Sequence, residues 1–177
     1  MQIKSKELQN LKAKLKDFIQ DKEVLEVILF GSFIKGKAVP KDIDIALITE
    51  KSITKKIPNI HISVINPKEL IVNPTSLVST LIKDGYSLKN NKFFAEKFNF
   101  EPKVLFLYNL SGLNASEKVK VVRILRGDKK NEGFVTKENG KWLSNNVFLS
   151  EIKSVYLFEQ FFIKNKVNFT KHNLLMH

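Results

Sequence analysis

The stretch Val27-Ile28-Leu29-Phe30-Gly31-Ser32, followed after nine residues by Asp42-Ile43-Asp44-Ile45-Ala46-Leu47, decides how this chain folds. Val24 to Phe30 is a β-branched and apolar run, too brief for a helix before the Gly31-Ser32 turn signal, so it reads as a buried strand. Ile43 to Ile48 reads as a second strand, and Ile60-His61-Ile62-Ser63-Val64-Ile65 as a third, ended by Asn66-Pro67. The order is strand, tight turn, strand. Two carboxylates at i and i+2 of a strand point to one face and can share divalent cations. Gly31 lets backbone N–H groups approach a triphosphate closely, and Ser32 adds a hydroxyl donor. Lys35 and Lys37, between turn and carboxylates, carry charge that can neutralise β- and γ-phosphates. Paired Asp beside a phosphate cradle suits phosphoryl and nucleotidyl transfer, where two metals about 3.5–4 Å apart clamp the attacking and leaving oxygens. Taken alone, Asp-x-Asp is a weak signal and more often marks two solvated carboxylates at a strand start.

Outward from this unit, Leu8, Leu11, Leu15, Phe18 and Ile19 recur at helical steps, predicting a surface helix that stops near Asp21-Lys22. Beyond the third strand, Leu77, Val78, Leu81 and Ile82 predict a second helix, closed by Asp84-Gly85 with Gly85 able to take positive φ. The Lys- and Asn-rich stretch Ser87 to Lys103, scattered with Phe93, Phe94, Phe98 and Phe100, separates two parts, giving an expected division into residues 1–90 and 91–177. In the second part, Val104 to Tyr108 reads as a strand, and Asn114 or Ser116 as the cap of a helix ended by Gly127. Asn139-Gly140 is the strongest two-residue hairpin signal, flanked by Gly133-Phe134-Val135 and Lys141-Trp142-Leu143. A final helix over about Leu149 to Lys164 precedes a short β-like Val167-Asn168-Phe169. A helix followed by a basic hairpin is compatible in shape with a winged-helix module.

The pattern apolar-apolar-Phe-Gly-Ser, spacer, Asp-apolar-Asp-apolar resembles the nucleotidyltransferase superfamily related to DNA polymerase beta, within it the small stand-alone minimal nucleotidyltransferases. The resemblance covers about residues 20–90, through the third strand and the helix ending Ile82-Lys83-Asp84-Gly85-Tyr86. It implies an α+β fold, a small mixed sheet with flanking helices, here followed by a small α/β C-terminal module. It also implies that Gly31 and Ser32 bind the triphosphate while Asp42 and Asp44 hold Mg²⁺ or Mn²⁺. Active members move a nucleoside monophosphate to a hydroxyl and release pyrophosphate, with a third carboxylate on the next strand. Here that strand has no Asp or Glu, and His61 is the nearest counterpart. A neutral imidazole can ligate a metal or accept the hydroxyl proton, although an ordinary edge-strand His gives the same sequence. Replacing an anionic ligand by imidazole weakens an acceptor-side metal site. A catalytically impaired nucleic-acid-binding or regulatory protein is therefore the alternative, and an antitoxin-type enzyme acting on a partner protein is a third reading.

The 177 residues carry 30 Lys+Arg against 18 Asp+Glu, a net charge of +12 that attracts phosphate-bearing partners. Only Arg123 and Arg126 are Arg, so an AT-rich genome accounts for the lysines equally well. Lys118, Lys120, Arg123, Arg126, Lys129 and Lys130 form a cluster able to track an RNA or DNA backbone, with Trp142 as a stacking residue. A solvated helix face plus a core Trp is the plain alternative. The absence of Cys excludes disulfides, thiolate zinc sites and cysteine nucleophiles, and no GxxxxGK[ST] loop is present. Met1 to Glu7 runs into a charged amphipathic stretch, and no apolar run is long enough for a bilayer, so a cytoplasmic protein is expected.

Overall fold

A computed structural model describes residues 5–37 and 42–177; residues 1–4 and the end of the spacer, 38–41, lie outside the described residues. The elements run α1 (Ser5–Lys14), α2 (Lys16–Gln20), β1 (Val24–Phe30), β2 (Ile43–Thr49), β3 (Ile60–Ile65), α3 (Ser76–Asp84), β4 (Tyr86–Ser87) and β5 (Lys92–Phe93). Then follow β6 (Glu101–Asn109), α4 (Ala115–Arg126), α5 (Phe134–Lys137), β7 (Lys141–Ser144), β8 (Val147–Glu151), α6 (Val155–Lys164) and β9 (Asn168–Met176). The fold is α+β. A five-stranded mixed sheet has the order β3-β2-β1-β4-β5, and a four-stranded sheet the order β7-β8-β6-β9. In the first, β1 is antiparallel to β2 and β4, while β2 and β3 are parallel. All pairs in the second are antiparallel.

The apolar runs of β1 and β2 follow from burial on both faces. Val27, Leu29, Ile45 and Leu47 enter a large cluster shared with α1, α2 and the second sheet, whose centre is Phe106, Phe148, Phe158 and Phe162. Ile28, Ala46 and Ile48 enter a smaller cluster with Ile65, Val78, Leu81 and Phe94, which α3 covers. The aromatic centre is close-set: Phe106 and Phe148 stack at 5.3 Å, and Phe148 and Phe158 lie 4.8 Å apart. One core therefore ties both sheets together. Among the described residues no helix is long and apolar enough to cross a membrane.

Six local expectations change. The predicted first helix is two, α1 and α2, meeting at Leu15. Gly85 has φ −70°, so handedness does not require it; instead an added Cβ would come closer than 3.0 Å to the Leu81 carbonyl and Ile28. Gly133-Phe134-Val135 is not a strand and Asn139-Gly140 is not a hairpin turn. Lys137 and Glu138 N–H groups donate to Gly133 and Phe134 carbonyls, making the short helix α5, and Asn139, at φ 57°, ends it. Packing of Phe134 on Phe158, 4.8 Å away, outweighs the local turn signal. The hairpin is β7–β8, turning at Asn145-Asn146, and it lies within the sheet instead of projecting as a wing. Leu149 to Glu151 belong to β8, so the last helix starts at Val155; β9, expected as three residues, pairs with β6 along Asn168–Met176.

Candidate active site

β1 ends where β2 and β3 begin, and their register brings the chemistry-bearing residues to one rim. Phe30 pairs with Asp44 across the antiparallel ladder, and Asp44 stands beside His61 in the parallel one. Alternation along β2 places Asp44 on the same face as Ala46 and Ile48, the face that α3 covers farther along. At the rim that cover is gone, leaving the Asp44 side chain 35% exposed and His61 70% exposed. His61 Nδ1 lies 3.7 Å from Asp44 Oδ1. Asp42 sits in the bend one residue before β2 and is exposed.

Gly31 is joined to this rim by sterics. Its φ is +80°, and a Cβ there would approach Asp44 Oδ2 more closely than 3.0 Å, a distance real Cβ atoms do not adopt. The missing side chain leaves room for the carboxylate beside the bare backbone of the turn. After it, Lys37 N–H donates to the Ser32 carbonyl at 3.2 Å and Gly36 N–H to Phe33 at 3.2 Å, winding the loop into a compact turn. Ser32 and Lys37 are half-buried within it. Lys35, expected to meet phosphate, places its Nζ 2.5 Å from Asp84 Oδ2 at the end of α3.

Asp44, with His61 beside it and Asp42 two residues before it in the chain, offers carboxylate oxygen, the ligand type that a hard divalent cation takes. Among the described residues no group of three His, Asp or Glu side chains is gathered tightly enough to cage a metal. A Mg²⁺ ion does not demand such a cage, since it keeps waters and is commonly held by one or two carboxylates plus substrate phosphates. Asp42 and Asp44 fit that mode.

The basic cluster divides in two. Arg123 donates through Nε to Asp128 at 2.8 Å and pairs through Nη2 at 2.6 Å. The Asp128 carboxyl is held down at about 2, first by the Lys130 backbone N–H and then by Arg123. Arg126 lies 4.0 Å over the Trp142 ring and donates to the Ser144 and Asn145 carbonyls. Trp142, expected to stack on bases, thus has one face taken by Arg126 while its ring packs steeply inclined against Phe148, with centroids 5.3 Å apart. Lys120, Lys129 and Lys130 are exposed and Lys118 half-buried.

Sequence reasoning passed over a buried polar knot. Glu26 on β1 accepts from Ser87 Oγ at 2.6 Å and from Asn90 Nδ2 at 2.9 Å, and pairs with Lys97, whose ammonium pKa burial lowers. It pins β1 to β4 and the segment after it. The available signal was a lone carboxylate inside an otherwise apolar strand.

In comparison with known proteins, the family described as Polymerase beta, Nucleotidyltransferase matches residues 13–91, from α1 through the β4–β5 connection. No curated protein and no solved structure matches the chain.

Proposed function

We propose that this chain, whose residues 13–91 are a nucleotidyltransferase domain of the DNA polymerase beta-like superfamily, moves a nucleoside monophosphate from a nucleoside triphosphate to an acceptor hydroxyl. The observation that carries the reading is the contact between turn and carboxylate: Gly31 lacks the atom that would collide with Asp44, and His61 stands 3.7 Å away on the next strand. In this reading the Gly31-Ser32 backbone and the Ser32 hydroxyl receive the triphosphate, and Asp42 and Asp44 hold Mg²⁺ or Mn²⁺ against it. The ion supplies charge neutralisation at the transferring phosphoryl group. The acceptor oxygen attacks the α-phosphorus, its bond to the β-phosphate bridging oxygen breaks, and pyrophosphate leaves. His61, highly exposed at the rim, takes the acceptor proton on its imidazole.

The net charge of +12 and the exposed lysines Lys120, Lys129 and Lys130 support an RNA or DNA end as acceptor. A second reading, a module that binds nucleotide or nucleic acid without full catalytic competence, is favoured by one observation: β3 carries no carboxylate. Pyrophosphate release separates the two. With each nucleoside triphosphate, Mg²⁺, and RNA, DNA and protein hydroxyl acceptors, the enzyme reading expects release that Asp42→Asn or Asp44→Asn abolishes. Full release by either variant contradicts the assignment of these carboxylates.

A further inference from the structure

The loop that follows Gly31 is anchored to the second half of the chain as well as to its own sheet and α3. Phe33 and Ile34 are buried, and Phe33 lies in the cluster shared with Ile152, Val155 and Phe158. The Lys35 carbonyl accepts from Tyr156 N–H at 2.9 Å, in the first turn of α6. Gly36, at φ +91°, has no room for a Cβ because the Lys153 carbonyl occupies that place. The fourth tie is electrostatic. Lys35 Nζ meets Asp84 Oδ2 at 2.5 Å, and Asp84 also accepts from Asn173 Nδ2, on β9, at 3.3 Å.

Asp84 is 3% exposed, and a carboxylate so buried is retained only with a partner that offsets its desolvation. Lys35 is that partner, so its ammonium is committed before any phosphate arrives. This arrangement distinguishes two roles for Lys35 that the sequence alone does not separate. A phosphate ligand would be released by removing Asp84, whereas a positioning lysine would be lost with it.

We propose that Asp84 and Lys35 are positioning residues for the triphosphate loop, and that the corner at Lys153 to Tyr156 together with Asn173 makes the second half part of the nucleotide site. The inference rests on the transferase reading for its consequence, though not for its geometry. Holding Gly31 and Ser32 in one arrangement removes the ordering cost of the loop from nucleotide binding. Lys35 then acts through Asp84 rather than on the phosphates.

The test uses the full chain and four variants: Asp84→Asn, Lys35→Met, Lys35→Arg and the double variant Asp84→Asn/Lys35→Met. Amide hydrogen exchange across residues 31–37 without nucleotide, beside the thermal midpoint, reads the loop directly. Exchange there should quicken about tenfold in Asp84→Asn and Lys35→Met, with the core strands keeping their protection, and return towards wild type in Lys35→Arg. Mg²⁺-dependent triphosphate affinity should fall by a similar factor in both single variants, with the double variant no worse than either. Unchanged exchange in Asp84→Asn overturns the proposal. So does a loss of affinity confined to Lys35→Met, with Asp84→Asn binding as tightly as wild type or tighter. A folded wild type that binds no triphosphate overturns the transferase reading instead, and the exchange result still decides the positioning one. Asn keeps the shape of Asp84 and its Asn173 bond; should that variant not fold, Lys35→Met against Lys35→Arg decides by the same exchange measurement.

Discussion

Replacing Gly31 by Ala adds one methyl group, and its effect can be worked from two separate causes. At φ +80° an L-residue is strained whatever surrounds it, by about 1–2 kcal/mol. The new Cβ also displaces the Asp44 carboxylate from its place, and a side chain driven off its rotamer costs about 0.5–1.5 kcal/mol more. The sum, roughly 1.5–3.5 kcal/mol, corresponds to a fall in thermal midpoint of about 3–14 °C for a chain of this size. The two causes come apart in a double-mutant cycle. Asp44→Ala removes the carboxylate, so the second contribution vanishes in Gly31→Ala/Asp44→Ala while the backbone strain persists. The cycle should show a coupling of about 0.5–1.5 kcal/mol, read from chemical denaturation with unchanged slopes. Strict additivity would refute the contact between turn and carboxylate on which the site is built. A Gly31→Ala variant as stable as wild type would refute the strain as well.

Two further outcomes test the second half. Arg126→Ala removes the cation over Trp142 and two donors to the β7–β8 turn, so the protein should lose about 1–2 kcal/mol and its Trp emission should shift; wild-type stability with unchanged emission would contradict the contact. Asp128 should titrate near 2 in an NMR series, its depressed folded pKa adding stability above the usual carboxylate value of 3.8 that fades as pH falls through the folded one. Arg123→Ala should raise that midpoint while the Lys130 backbone bond keeps it below 3.8; an unshifted midpoint in wild type would count against the Asp128 hydrogen bonds.

The first half was legible because its signals are local and agree with one another. Doubly buried β1 and β2 announce themselves by unbroken apolar runs, and the turn between them by Gly31. The pairing of Asp44 with His61 across β2 and β3 was suggested only by the family resemblance, and the parallel register supplies it. Less was legible where tertiary contacts choose among local options. The Asn139-Gly140 signal is real, since Asn139 does adopt positive φ, but Phe134 on Phe158 makes the preceding residues a helix turn, and the hairpin forms six residues later. Lys35 sits between glycine turn and carboxylates in sequence, yet its ammonium turns to Asp84, 49 positions along the chain, a pairing no local pattern reveals. Trp142 likewise reads as a stacking platform until Arg126 is seen to cover it.

Triphosphate binding tests the central claim most directly, because it needs no knowledge of the acceptor. Calorimetry of wild type and of Asp42→Asn/Asp44→Asn with each nucleoside triphosphate, in Mg²⁺ and then Mn²⁺, should show metal-dependent binding that the double variant loses. Folded wild type that binds none of them, with either metal, would contradict the account and leave a nucleic-acid-binding or regulatory module in its place.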